Sequence, residues 1–224
     1  MKIQNVISAK SLWFMDIRQL NPRGRNIYKV IIPQLVQWYG FTEPKEPYDE
    51  NHLGVQFMNG EFSPTQDGRS GDLTGINLTV YFNGLLAHTS TSTDDADHFL
   101  EQVAARLVKE GSISFHPGLV KSKRYQSEVV AHAEQAINFP AFDKFCSILT
   151  SMAYPDSKTQ MFGTTGIIFD TDSELLGVNR KRPQFTLERK VDLTWSENLY
   201  YSQAPLSTQQ HEKALNALEA ALST

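Results

Sequence analysis

The chain carries one cysteine, Cys146, so no disulfide can close within it. A catalytic thiolate needs a neighbouring cation to lower its pKa, and only Lys144 is close in sequence. The flanking FDKFCSILTSM is apolar at helical spacing, which makes Cys146 a small core residue. No run approaches the ~20 apolar residues of a membrane-spanning helix. Gln4, Asn5, Ser8, Lys10 and Ser11 interrupt the opening stretch, where a signal peptide needs an unbroken apolar segment. The expectation is a reduced, soluble, cytoplasmic protein with no membrane partner.

Further absences narrow the chemistry. There is no Gly-x-x-x-x-Gly-Lys-Ser/Thr to cradle a phosphate and no Gly-x-Gly-x-x-Gly, so no nucleotide cofactor is expected. No Gly-x-Ser-x-Gly elbow is present to hold a serine nucleophile. The six histidines never recur at the His-x-x-x-His spacing of a zinc-binding helix. Positive charge is not in excess either. A formal net charge of −4 and a pI of about 5.9 argue mildly against nucleic acid, whose binding draws on phosphate neutralisation.

What remains is ordinary globular composition, 40% hydrophobic and 21% charged over 224 residues. That length buries roughly 70% of the unfolded surface. The spacing predicts a strand near 11–20, a helix over 26–41 kinked or begun by Pro33, and a strand in GVQFMNGEF. INLTVYFNGLLAHTST reads as a hairpin turning on Asn83-Gly84, because a type I′ turn prefers that dipeptide. DDADHFLEQVAARLVKEG is the strongest helix, capped by Thr93 or Asp94 and ended by Gly111. A shorter, mostly apolar helix follows in FPAFDKFCSILTSMAY. Strands near 164–170, 184–190 and 198–203 precede a closing helix. Without strict βαβ alternation, the expected class is α+β. An antiparallel or mixed sheet would carry about four helices, in a single domain over 1–224 whose two lobes, if present, would divide near 111–120.

GIIFDTDSELLG places Asp170 and Asp172 at the end of an apolar run. Over about eight residues this resembles the nucleophile motif of the haloacid dehalogenase-like phosphatases, where one carboxylate attacks phosphorus beside Mg²⁺. In that family the motif opens the domain and acidic partners follow downstream. Here 173–224 holds only scattered single carboxylates, and a polar turn explains the same letters, since Asp and Ser bond their own backbone.

Asp94, Asp97 and His98 sit at helical spacing that could ligate a metal. Carboxylates in a first helical turn are also stabilised by the helix dipole with no ligand at all. Asp170, Asp172 and His98 are the weak catalytic candidates. Lys121, Lys123 and Arg124, and Arg180, Lys181 and Arg182, are basic clusters that could bind an anion or nucleic acid. Trp195, Tyr200 and Tyr201 are candidate contacts to a protein partner, because aromatics bury large area at low entropic cost. The functional expectation is a non-enzymatic interaction protein that binds a protein partner or self-associates. A metal-dependent hydrolase is the alternative, and a nucleic-acid-binding accessory protein the second.

Overall fold

The computed structural model describes residues 1–20, 27–44, 54–64, 73–135, 137, 140–159, 161–171, 183–190 and 197–222. Among these the fold is α+β, with four helices and an antiparallel sheet of eight strands. In chain order the elements are β1 (Lys2–Phe14), α1 (Ile27–Tyr39), β2 (Val55–Phe62), β3 (Thr74–Tyr81), β4 (Gly84–Thr89) and α2 (Thr93–Lys109). They continue with β5 (Ser122–His132), α3 (Pro140–Ala153), β6 (Gly166–Phe169), β7 (Phe185–Arg189), β8 (Leu199–Ala204) and α4 (Thr208–Leu222). Hydrogen-bonded neighbours run β2-β3-β4-β1-β5-β8-β7-β6. Among the described residues, no helix is long and apolar enough to cross a membrane.

The chain divides into two compact units. The N-terminal unit is Val6–Ser127 with Pro205–Thr208, and the C-terminal unit is Met1–Asn5, Glu128–Ala204 and Gln209–Thr224.

In the N-terminal unit, period-two burial on β3 turns Ile76, Leu78 and Val80 inward, and helical spacing on α2 buries Ala96, Phe99, Leu100, Val103 and Leu107. Phe99 is wholly buried, with the Tyr39 and Phe62 rings edge-on at 5.0 and 5.3 Å, a geometry that suits aromatic quadrupoles. The cap of helix α2 is Ser92, one residue before the expected Thr93 or Asp94. Ser92 is extended and accepts the Asp95 N–H at 3.0 Å, while its hydroxyl donates to the Asp95 carboxylate at 2.8 Å. Gly111 ends the helix with φ of 68°, as a left-handed terminator should. Thr93 and Thr208, 115 residues apart, exchange hydrogen bonds. Each backbone N–H donates to the other's hydroxyl, at 3.0 and 2.9 Å.

Two local expectations change, and one of the two alternatives for Pro33 closes. The first strand runs over Lys2–Phe14 rather than 11–20, because the chain turns into a short 3-10 helix at Ile17–Leu20. The Asp16 carboxylate accepts the Arg18 backbone and guanidinium and tightens that turn. Pro33 lies within α1, not at its first turn. The hairpin is present, but its ladder closes at Tyr81 opposite Gly84, so Phe82 and Asn83 form the loop. Neither they nor Gly84 take a positive φ. Gly84 is required for another reason. Opposite Phe14 on β1, an added Cβ would collide with the Trp13 carbonyl oxygen.

In the C-terminal unit, alternation on β8 buries Tyr200, Ser202 and Ala204, and α4 buries His211 and Leu215. Helix α3 buries Cys146 and Thr150. The Thr150 hydroxyl donates to the Cys146 carbonyl at 2.9 Å and accepts the Met161 and Phe162 N–H groups at 3.0 and 3.2 Å. One threonine thereby satisfies the segment that leaves the helix.

Candidate functional site

The acidic group at the start of α2 separates into distinct roles. Asp94 and Asp95 lie in the first turn, where the dipole favours them. Asp97 points to the sheet and gathers four donors: the Ser11 hydroxyl, Trp13 Nε1 at 2.8 Å, Lys123 Nζ at 2.9 Å and the Tyr125 hydroxyl at 2.9 Å. Strand periodicity explains the set, since Ser11 and Trp13 on β1 and Lys123 and Tyr125 on β5 are each two apart and share a face. Burial pushes the Asp97 carboxyl up, but the hydrogen bonds outweigh it and leave its pKa below the ordinary value. Burial and then Asp97 push the Tyr125 phenol up. The carboxylate is occupied by its own fold.

His98 is one turn from Asp94 but engages Gln102, Nε2 to Nε2 at 3.0 Å. Among the described residues, no three His, Cys, Asp or Glu side chains group to hold a metal ion. Asp170 is exposed just after β6, and its carboxylate accepts the Thr171 N–H at 2.8 Å. The Thr171 hydroxyl then reaches the Pro183 carbonyl at 2.8 Å. Asp172 lies outside the described residues.

The basic residues at the start of β5 do not share one face. Lys123 lies 4.4 Å from the Trp13 ring and pairs with Asp97, whereas Arg124 lies 5.5 Å from Phe14, the next residue on β1. Successive strand residues point to opposite sides, so Lys123 and Arg124 separate. Lys121 is exposed one residue before the strand. Arg180, Lys181 and Arg182 fall outside the described residues, as does Trp195.

Alternation likewise parts the two tyrosines. Tyr200 is 3% exposed and its hydroxyl accepts the Ile137 N–H at 2.9 Å, so its ring belongs to the core. Tyr201 is half-buried and donates to the Glu128 carboxylate at 3.1 Å. Burial, then Glu128, pushes its phenol up to about 12.

The most conspicuous surface is one that the candidate residues do not include. On α3, Phe142, Phe145, Ile148 and Met152 are exposed. Tyr154, Met161 and Phe162 follow, with the Tyr154 and Phe162 rings 6.1 Å apart. On β6, Ile168 and Phe169 are exposed as well, and that strand ends the sheet among the described residues. The other exposed large hydrophobics described are Ile7, Met58, Leu73, Phe82 and Val108, so nine of fourteen fall within 142–169. The signal was present in the sequence. Helix α3 has apolar residues around more of its circumference than one buried stripe needs. Comparison with known family models finds no match for this chain, and comparison with curated protein sequences finds none either.

Proposed function

We propose that the protein is a non-enzymatic interaction protein, working in the cytoplasm, that associates with a protein partner or a second copy of itself through the C-terminal unit. One observation carries this reading: the concentration of exposed large hydrophobics between Phe142 and Phe169. Single exposed apolar residues are normal, but this many aromatic and methionine side chains exposed within one stretch of chain mark a surface that gains free energy when covered. Phe, Tyr and Met are also the types enriched at interface centres. Among the described residues β6 ends the sheet, and an edge strand offers its backbone groups as a second means of association. The lone cysteine supports the cytoplasmic setting.

The test places a photo-crosslinking amino acid at position 152, with a control at Glu61, an exposed residue of the N-terminal unit. The full chain is irradiated in the cells that express it. Discrete adducts from position 152 and none from 61 are the expected result. A chain that stays free of adducts at 152 would refute the reading.

A further inference from the structure

We infer that Met152 is a site of reversible oxidation by a hydroperoxide, and that the sulfoxide formed there closes the apolar surface of the C-terminal unit to association. The switch rests on the interaction reading above, since it regulates that same surface.

Exposure separates the sulfur atoms of the chain. Of the five methionines, Met1 and Met15 are 6% and 2% exposed, Met58 and Met161 are 43% and 55%, and Met152 is 76%. No other large hydrophobic side chain among the described residues is as open as Met152. Cys146, whose thiol would compete for an oxidant, is buried on the inner side of α3. An oxidant arriving from solvent therefore meets thioether before thiol.

Contacts separate the two exposed methionines of this unit. The Thr159 hydroxyl donates to Met161 Sδ at 3.9 Å, and the Thr150 hydroxyl holds the Met161 N–H. Met152 stands on the last turn of α3, and among the described residues no donor reaches its sulfur. Its lone pairs are open to water.

The reaction needs only the hydroperoxide. A lone pair on Sδ attacks one peroxide oxygen, and a new S–O bond forms as the O–O bond breaks. The proton of the transferred oxygen passes to the departing oxygen, which leaves as water or an alcohol. Sulfur is oxidised by two electrons and the peroxide is reduced by two.

The product changes the surface and spares the fold. A sulfoxide puts a polar acceptor where a flexible apolar side chain stood, and methionine sulfoxide reductases return the thioether. Met152 belongs to no core, so the fold stands without its apolar character. Phe145, two turns earlier and also exposed, shares its face of α3. Covering that face buries the new oxygen without a donor, which weakens association about tenfold. A face already covered shields Met152, so the oxidant acts on the free chain.

Hydrogen peroxide titrated onto the full chain, followed by peptide mapping in a mass spectrometer, tests the site. The Met152 peptide should gain one oxygen first, Met161 and Met58 later, and Met15 none while circular dichroism stays unchanged. A Met152 that oxidises no faster than Met58 overturns the assignment. For the switch, a photo-crosslinking amino acid replaces Phe145 in the full chain inside cells, at a peroxide dose that oxidises Met152 alone. The pulse should reduce protein adducts about tenfold, and methionine sulfoxide reductase should restore them. With Met152→Leu, adducts should hold their own starting level through the pulse, and an equal loss in that variant overturns the switch. Wild-type adducts that persist once Met152 is oxidised also overturn it and leave the interaction reading intact. A chain with no adducts before the pulse overturns the interaction reading, and the switch falls with it.

Discussion

The Ser202 hydroxyl and His211 Nε2 lie 2.8 Å apart, and neither residue has any exposed surface. The same hydroxyl donates to the Thr186 carbonyl at 2.7 Å, which leaves Ser202 to accept from an Nε2–H of His211. The Phe185 ring stands edge-on to the imidazole at 5.7 Å. With both partners sealed from solvent, this Ser–His pair is a structural bond between β8 and α4.

A pH dependence follows from it. Burial pushes the His211 imidazole down from 6.5 to about 4, so the folded chain keeps the ring neutral after the unfolded chain has taken up a proton. Its contribution to stability is complete above pH 6.5 and is lost as pH falls toward 4. The loss amounts to about 3 kcal/mol. Urea midpoints measured at pH 7, 5.5 and 4 should fall in step, and His211→Gln should flatten that part of the curve. A wild-type midpoint constant across the window would contradict the assignment.

Asp97 should behave as the centre of a half-buried polar network. Asp97→Ala leaves Lys123 Nζ, Trp13 Nε1 and the Ser11 and Tyr125 hydroxyls without their acceptor, a cost of about 3 kcal/mol by urea denaturation. Tyr125→Phe removes one hydrogen bond and costs about 1 kcal/mol. Equal, small effects from both substitutions would show that the network contributes nothing to stability.

Gly84→Ala tests the steric account of the hairpin. Its new Cβ meets the Trp13 carbonyl oxygen, and displacing that backbone costs about 1–3 kcal/mol. Gly75→Ala, on the neighbouring β3 with open space around it, should be neutral or stabilise by up to about 1 kcal/mol. The reverse order in thermal melts would show that the backbone at Trp13 yields to the added methyl group and that the close approach does not require glycine.

Much of this architecture was legible in the sequence, and what escaped it has a physical reason. Helix α2 declares itself through its apolar stripe and Gly111, although the cap read as Thr93 or Asp94 is Ser92. The hairpin was found from Asn83-Gly84, yet its loop is Phe82-Asn83, because register is fixed by the neighbour β1 and not by the dipeptide. The Asp97 network was hidden, since Ser11 and Tyr125 lie 86 and 28 residues away from it and only strand pairing brings them together. For α3 the letters give a wide apolar arc, while the fold alone decides that Cys146 and Thr150 take the inside.

The N-terminal core also holds an apolar cavity of about 30 Å³ lined by Leu35, Val80, Val103 and Leu107, among others. At about 24 cal/mol per Å³, this void costs roughly 0.7 kcal/mol. Val80→Ile should recover part of it and raise the melting temperature by about 1–3 °C. A lower melting temperature would mean that the space cannot take a methyl group.

The exchange between Thr93 and Thr208 carries a consequence for synthesis. During translation the first turn of α2 emerges while residue 208 has yet to be made, and for that interval the Thr93 amide has only water as its partner. The clasp therefore closes after the later strands have left the ribosome. A nascent chain halted at about residue 130 should leave the Thr93 amide open to rapid deuterium uptake, and release of the finished chain should slow that uptake.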